Sequence, residues 1–195
     1  MRPSSLYVFI GLVSWPVLFG LYRLRARGLD HLPRGGFVLA ANHTSNFDPW
    51  PLGLPLWPRR SLRFMAKSEL YWWPLRYILD AGGAFPVRRG ERDAEAITTA
   101  VRLAREGHIV TMFPEGTRQR KGLVKKFEAR PHTGAARIAI EAGVPLVPAA
   151  IKGTDRLSRL GALRVAYGEP LDPGDDPREA TDRLMEEIYR LHAGL

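Results

Sequence analysis

The stretch Asn42-His43-Thr44-Ser45-Asn46-Phe47-Asp48 sets an imidazole and a carboxylate five residues apart. Histidine is the side chain best placed to move protons near neutral pH. An aspartate bonded to one ring nitrogen fixes the tautomer, leaving the other nitrogen to accept a proton from a hydroxyl. No serine or cysteine nucleophile stands out beside the pair. On one continuous helix, His43 and Asp48 would point roughly 140° apart, so a turn is needed to join them. Such a turn arises if a strand ends at Asn42 and a helix opens near Asp48, at the strand end where α/β proteins place ligand sites. Taken alone, the spacing is better explained by a surface histidine beside a helix-capping aspartate. Composition adds weight, because Asn42 and Asn46 are the only asparagines in the chain and Gln119 is the only glutamine.

Three further blocks carry candidate chemistry. Phe113-Pro114-Glu115-Gly116-Thr117-Arg118 follows an apolar run. There glycine permits close backbone approach, threonine offers a hydroxyl, and arginine can grip a phosphate with two parallel bonds. The same block also reads as a tight turn closed by a Glu115–Arg118 ion pair. Gly83-Ala84-Phe85-Pro86-Val87-Arg88-Arg89 is a second strand end presenting cations. Val144 to Ile151 is apolar enough to read as sheet core.

In this order the four blocks resemble the glycerophospholipid acyltransferase family, in particular its 1-acyl-sn-glycerol-3-phosphate acyltransferases, over roughly Leu29 to Ile151. The resemblance implies that His43 is the general base and Asp48 its orienting partner. It implies that Glu115, Gly116, Thr117 and Arg118 bind the acceptor's glycerol phosphate, and that Arg89 is the family arginine of the second block, with Arg88 beside it. Asn42 is a further candidate substrate contact. His132 lies where many members run Phe-Lys-x-Gly, and is either a phosphate or headgroup contact or a helix-start residue. The implied reaction moves a fatty acyl group from acyl-CoA or acyl-ACP to the sn-2 hydroxyl of lysophosphatidic acid, giving phosphatidic acid. Acyl carrier protein is a candidate partner, and no cofactor beyond the donor is implied. Other acceptors (glycerol 3-phosphate, a lysophospholipid, a lyso-ornithine lipid or a glycolipid) would use the same chemistry.

Composition bounds these readings. A length of 195 residues suits one domain, and the absence of cysteine excludes disulfides, thiolate catalysis and cysteine-ligated zinc. The histidines show no metal-ligand spacing, so no metal is expected. A net charge of +9 predicts attraction to phosphates. It is compatible with a basic membrane- or nucleic-acid-binding module, but such a module leaves His43, Asp48 and Glu115 without a purpose, and nucleic acid is not expected as a partner. Arg118, Arg120, Lys121, Lys125, Lys126 and Arg130 face the single acid Glu128 in their segment, which suits a solvated loop or anionic headgroups equally.

From Leu6 to Tyr22 there are 17 residues without a formal charge, followed by Arg23, Arg25 and Arg27. As a straight helix this run would span roughly 25 Å, against a hydrocarbon core of roughly 30 Å, and Pro16 should kink it. The reading is membrane association at the cytoplasmic face, by a short transmembrane, surface or hairpin helix. The division expected is a membrane-associated segment over 1–27 and an acyltransferase domain over 28–195. Trp57, Tyr71, Trp72 and Trp73 are further candidates for the interface.

The remaining pattern places the motifs. Strands are expected at Phe37 to Ala41, Leu62 to Ala66, Ala84 to Val87, Ile109 to Phe113, Leu146 to Ile151 and Leu163 to Tyr167. Helical segments are expected at Asp48 to Trp57, Glu69 to Leu79, Asp93 to Arg105 and Thr133 to Ala142. A last helix opens at Asp176-Pro177-Arg178-Glu179 with an N-cap acid and proline at its first position. Repeated strand–helix–strand units predict an α/β fold with a largely parallel central sheet flanked by helices.

Overall fold

The computed structural model describes residues 5–87, 94–115 and 131–195. Its strands are β1 (Arg25–Arg27), β2 (Phe37–Ala41), β3 (Leu62–Lys67), β4 (Ala84–Val87), β5 (Ile109–Met112), β6 (Leu146–Lys152) and β7 (Arg164–Tyr167). Its helices are α1 (Ser5–Trp15), α2 (Pro49–Gly53), α3 (Leu75–Ala81), α4 (Ala94–Arg105), α5 (Gly134–Ala142) and α6 (Pro177–Ala193). The strands form one sheet in the order β1-β7-β6-β2-β5-β3-β4, parallel throughout except for the β6–β7 pair. The largely parallel sheet expected from the sequence is therefore present.

Central β2 is buried along its whole length, which is why Phe37-Val38-Leu39-Ala40-Ala41 shows no polar alternation. Phe37, Leu39 and Ala41 face one layer, with Leu52, Leu54, Leu56, Tyr167 and the N-terminal Leu18 and Leu24. Val38 and Ala40 face the other, made by Ala100, Val101 and Ala104 of α4, Ala135 and Ile138 of α5, and Leu184 and Ile188 of α6. The chain leaves β2 for β3 over the first face and passes from β4 through α4 to β5, then through α5 to β6, over the second. Successive connections thus diverge around β2 and β5, and a crevice opens at their C-terminal ends.

Local chemistry sets the helix ends. The Asp176 carboxylate accepts from Arg178 N at 2.7 Å, with Pro177 at the first helical position. Gly143 ends α5 with φ of 66°, a conformation that only glycine adopts without strain.

Two elements differ from expectation. The aromatic helix expected over Glu69 to Leu79 is interrupted: a 3₁₀ turn at Ser68–Leu70 is separated from α3 by Tyr71 to Pro74. Pro74 has no amide hydrogen to donate and restricts Trp73 before it, so the helix restarts at Leu75. The second difference is β1, where Arg25, Ala26 and Arg27 pair in parallel with Arg164, Val165 and Ala166. Its arginines read as a basic flank in the sequence, yet they form an edge strand.

The N-terminal run folds as α1 followed by a π-helical segment, Pro16–Leu21, beginning where proline removes a hydrogen bond from the ladder. At 11 residues, α1 spans about 16 Å. No helix among the described residues is long and apolar enough to cross a membrane. Gly11 is the one buried residue of α1, seated on Trp57, where a Cβ would lie 2.1 Å from the indole Nε1.

Candidate active site

The crevice begins where β2 ends. Asn42 Nδ2 donates to Ile151 O at 3.0 Å, and Ile151 N donates to Asn42 Oδ1 at 2.8 Å, so the buried amide pairs with β6 as a peptide group would. Asn42, expected as a candidate substrate contact, therefore spends both ends of its amide fastening β2 to β6. That fastening ends the strand and starts the turn at His43.

The turn folds the carboxylate back onto the ring. His43 Nδ1 lies 2.8 Å from Asp48 Oδ2, and the same oxygen accepts from Thr44 N at 2.7 Å and Ser45 N at 2.9 Å. Asp48 Oδ1 accepts from Thr154 Oγ1 at 2.5 Å. Asp48 is 0 % exposed, and these bonds compensate the cost of burying its charge. It precedes α2, but its carboxylate makes no capping bond to that helix, so the helix-cap alternative does not describe it. Because a carboxylate only accepts, Nδ1 carries the ring proton and Nε2 holds the lone pair. The ring is stacked on Phe113, centroids 4.2 Å apart.

Thr154 has one hydroxyl proton, and Asp48 takes it. The 2.8 Å contact between Thr44 Oγ1 and Thr154 Oγ1 must then run from Thr44 to Thr154. Thr44, Thr154 and Asp48 thus form a short relay of donors ending on the carboxylate.

Glu115 ties the block after β5 to the first block: its Oε2 accepts from His43 N at 3.1 Å. Burial pushes the Glu115 carboxyl above its usual range, with Asp48 adding to the rise, while the bond from His43 N and the neighbouring His43 ring oppose it. Nearby, His132 N donates to Pro114 O at 2.8 Å. The described residues on either side of 116–130 are thus joined beside the site. His132 is exposed two residues before α5, and its backbone makes this closure.

Of the residues singled out in the sequence, His43, Asp48, Glu115 and Asn42 meet at the ends of β2, β5 and β6. Arg88, Arg89, Gly116, Thr117 and Arg118 lie outside the described residues, as does the basic run from Arg120 to Arg130. Val87, the last described residue before Arg88, ends edge strand β4, three strands from β2 and so about 14 Å across the sheet. Sequence reasoning missed Thr154 and Phe113. Gly153, with φ of 101°, directly follows β6 and turns the chain so that Thr154 enters the site. Among the described residues, no group of three or more His, Asp or Glu side chains is placed to hold a metal ion.

A family model described as Acyltransferase matches residues 23–152, which include every residue of this constellation except Thr154. The chain belongs to the acyltransferase family. Among similar relatives of this acyltransferase, the 1-acyl-sn-glycerol-3-phosphate acyltransferase of Bacillus subtilis is 36% identical, over 75% of this chain and 72% of that protein. The chloroplastic 1-acyl-sn-glycerol-3-phosphate acyltransferase BAT2 of Brassica napus is 28% identical over 74% of this chain, and the match spans only 42% of that longer protein. The crystal structure of the 1-acyl-sn-glycerophosphate (LPA) acyltransferase, PlsC, from Thermotoga maritima superposes with a TM-score of 0.68 at 25% identity, covering 95% of this chain and 78% of that one.

Proposed function

We propose that this acyltransferase acts on 1-acylglycerol 3-phosphate, moving a fatty acyl group from an acyl thioester to its sn-2 hydroxyl and giving phosphatidic acid. The names of its relatives support the acceptor. The observation that carries the chemistry is the 2.8 Å contact between His43 Nδ1 and the buried, fully bonded Asp48. His43 Nε2 takes the hydroxyl proton as the oxygen attacks the thioester carbonyl, and Asp48 stabilises the imidazolium that forms. The tetrahedral intermediate collapses by breaking its carbon–sulfur bond, and the imidazolium returns the proton to the departing thiolate. A thioester is already activated, so no covalent enzyme intermediate is needed. Glu115 braces the His43 backbone, while Arg89, Gly116, Thr117 and Arg118 are proposed to hold the acceptor's phosphate. The donor is either acyl-CoA or acyl-ACP.

The acceptor is a membrane lipid, and α1 suits a membrane surface. Tyr7, Ile10, Gly11 and Ser14 form its docked face, while Leu6, Val8, Phe9, Leu12, Val13 and Trp15 point outward. An apolar face turned to solvent reverses the usual amphipathic order and is stabilised when lipid covers it. Trp72 and Trp73, 58% and 74% exposed, are further candidates for that interface, whereas Trp57 is packed under α1. We place the domain at the cytoplasmic face of the membrane, with Arg23, Arg25 and Arg27 beside the apolar run.

The test is thiol release by the purified protein with acyl-CoA and a panel of lysolipid acceptors, repeated with His43→Ala. Lysophosphatidic acid should give the highest rate. His43→Ala should lose about 10²- to 10⁴-fold in rate while binding lipid vesicles as before. Equal rates with all acceptors would overturn the substrate, and full activity in His43→Ala would overturn the base.

A further inference from the structure

A cleft of about 1050 Å³ starts at the catalytic turn, beside Thr44, Asn46 and Glu115, and runs past the end of β6 to the end of α6. The mechanism above makes no use of its far end, which is lined by Lys152, Arg156, Arg164 and His192. Lys152 and Arg164 are direct partners in the antiparallel β6–β7 ladder, and Arg164 is in register with Arg25 of β1. Residues in register on neighbouring strands point to the same face, so three cations stand in a row. Like charges placed directly opposite each other destabilise a sheet.

One carboxylate, Asp155, also lines this end of the cleft. Arg156 has a carboxylate, Asp155, at 3.5 Å, but among the described residues neither Lys152 nor Arg164 makes an ion pair. Arg164 Nη1 donates to Arg23 O at 3.0 Å and to Leu163 O at 2.9 Å, which fixes the guanidinium without neutralising it. The C-terminal carbonyls of α6 attract cations, and Arg27 Nη2 takes up one of them, at Gly194 O. Burial, and next the charge of Lys152, hold His192 below its ordinary range, so the positive charge of this end rests on the lysine and the arginines.

We propose that this end of the cleft binds the phosphate groups of coenzyme A, with Lys152 and Arg164 as the principal contacts. The assignment rests on the acyl-transfer reading above and specifies where the donor sits. Two observations favour the donor over the lipid acceptor. First, alternation along β6 and β7 turns Lys152 and Arg164 to the α6 side of the sheet, opposite the layer that carries the N-terminal segment and its outward apolar face. A water-soluble nucleotide can enter there without leaving the aqueous phase. Second, the volume lies just above the range for pockets that hold drug-sized ligands, about 300–1000 Å³, and far exceeds what a lone phosphate monoester needs. With the phosphates held at this end, the pantetheine arm runs along the cleft toward Thr44 and brings the thioester to His43.

The experiment compares wild type with Lys152→Gln, Arg164→Gln and the double variant, using acyl-CoA and, separately, the same acyl group on pantetheine, which lacks the nucleotide phosphates. Each lost cation should raise KM for acyl-CoA about tenfold, with KM for lysophosphatidic acid unchanged. The wild-type advantage of acyl-CoA over acyl-pantetheine should shrink by the same factor. Added salt should weaken acyl-CoA binding to wild type more than to the double variant. An unchanged KM for acyl-CoA, or a rise confined to KM for the lipid acceptor, would overturn the assignment. Calorimetry with free coenzyme A separates this proposal from the reaction itself. If wild type transfers no acyl group, loss of coenzyme A binding in the variants still supports the site, and unchanged binding refutes it. Because Lys152 is exposed, its single substitution serves if Arg164→Gln fails to fold.

Discussion

Thr154→Val is the sharpest test of how the proposed catalytic pair is held. Valine has nearly the shape of threonine, so the change deletes one hydrogen bond to Asp48 Oδ1 and leaves the three donors on Oδ2 in place. A hydrogen bond to a charged group contributes about 1.5–3 kcal/mol. Lost from the folded ground state alone, that corresponds to a fall in Tm of about 3–12 °C for a domain of this size. Lost only as the imidazolium forms, it corresponds to about 10- to 150-fold in kcat. Asp48 faces a full positive charge only during the proposed reaction, so the expected outcome combines the two: a Tm lower by a few degrees and kcat lower by about tenfold. KM for both substrates should change little, because Thr154 is 3 % exposed and valine fills the same space. Steady-state thiol release and differential scanning calorimetry on wild type, Thr154→Val and Thr154→Ser provide the measurement, and the serine variant should recover most of both losses. If Thr154→Val keeps wild-type kcat and Tm, the hydroxyl does not position Asp48, and the relay from Thr44 through Thr154 has no catalytic weight.

Glu115 and Gly11 give two further expected outcomes. Glu115 has its carboxyl pushed above the ordinary value of 4.5, so the folded state holds this proton more tightly than the unfolded chain. Its contribution to stability is therefore unaffected below that value and falls as pH rises toward the folded-state pKa. Glu115→Gln keeps an oxygen for His43 N but removes the charge. Denaturant melts should show its stability relative to wild type improving between pH 4 and pH 7, and a flat difference would refute the argument. In Gly11→Ala, helix propensity gains up to about 1 kcal/mol, but the new methyl would sit 2.1 Å from Trp57 Nε1. Overpacking of this kind costs about 1–3 kcal/mol, so Tm should fall and α1 should become more sensitive to protease. A raised Tm would show that Trp57 yields easily.

The parts of the fold visible in the sequence are those set by local pattern. Apolar runs bounded by glycine and proline mark β2, β5 and β6, and the Asp176-Pro177 start of α6 is visible because capping needs only neighbouring residues. Strand β1 was hidden, since three residues with two arginines carry no apolar signal and are held by pairing with β7, far along the chain. The proposed catalytic pair shows the same division. His43 and Asp48 are neighbours in sequence and could be nominated from it. Thr154 comes from 106 residues away, and nothing in the residue type distinguishes it from a surface threonine. Asn42 drew attention for its rarity, but its role as a clamp on Ile151 depends on the register of β2 against β6, which no single segment specifies.

The distance along the chain between Asp48 and Thr154 also sets when the site can exist. Strand β2 is made early, yet both of its neighbours, β5 and β6, are made later, and Asp48 gains its fourth partner only after β6 has crossed to β2 and turned at Gly153. Contacts this far apart form late, because the intervening chain must first give up its freedom. During synthesis the base and its carboxylate are therefore emitted long before they can be assembled, so a chain stopped short of Thr154 should carry the motif without the fully held pair. Completion of the sheet acts as a built-in delay between making the proposed catalytic residues and arming them.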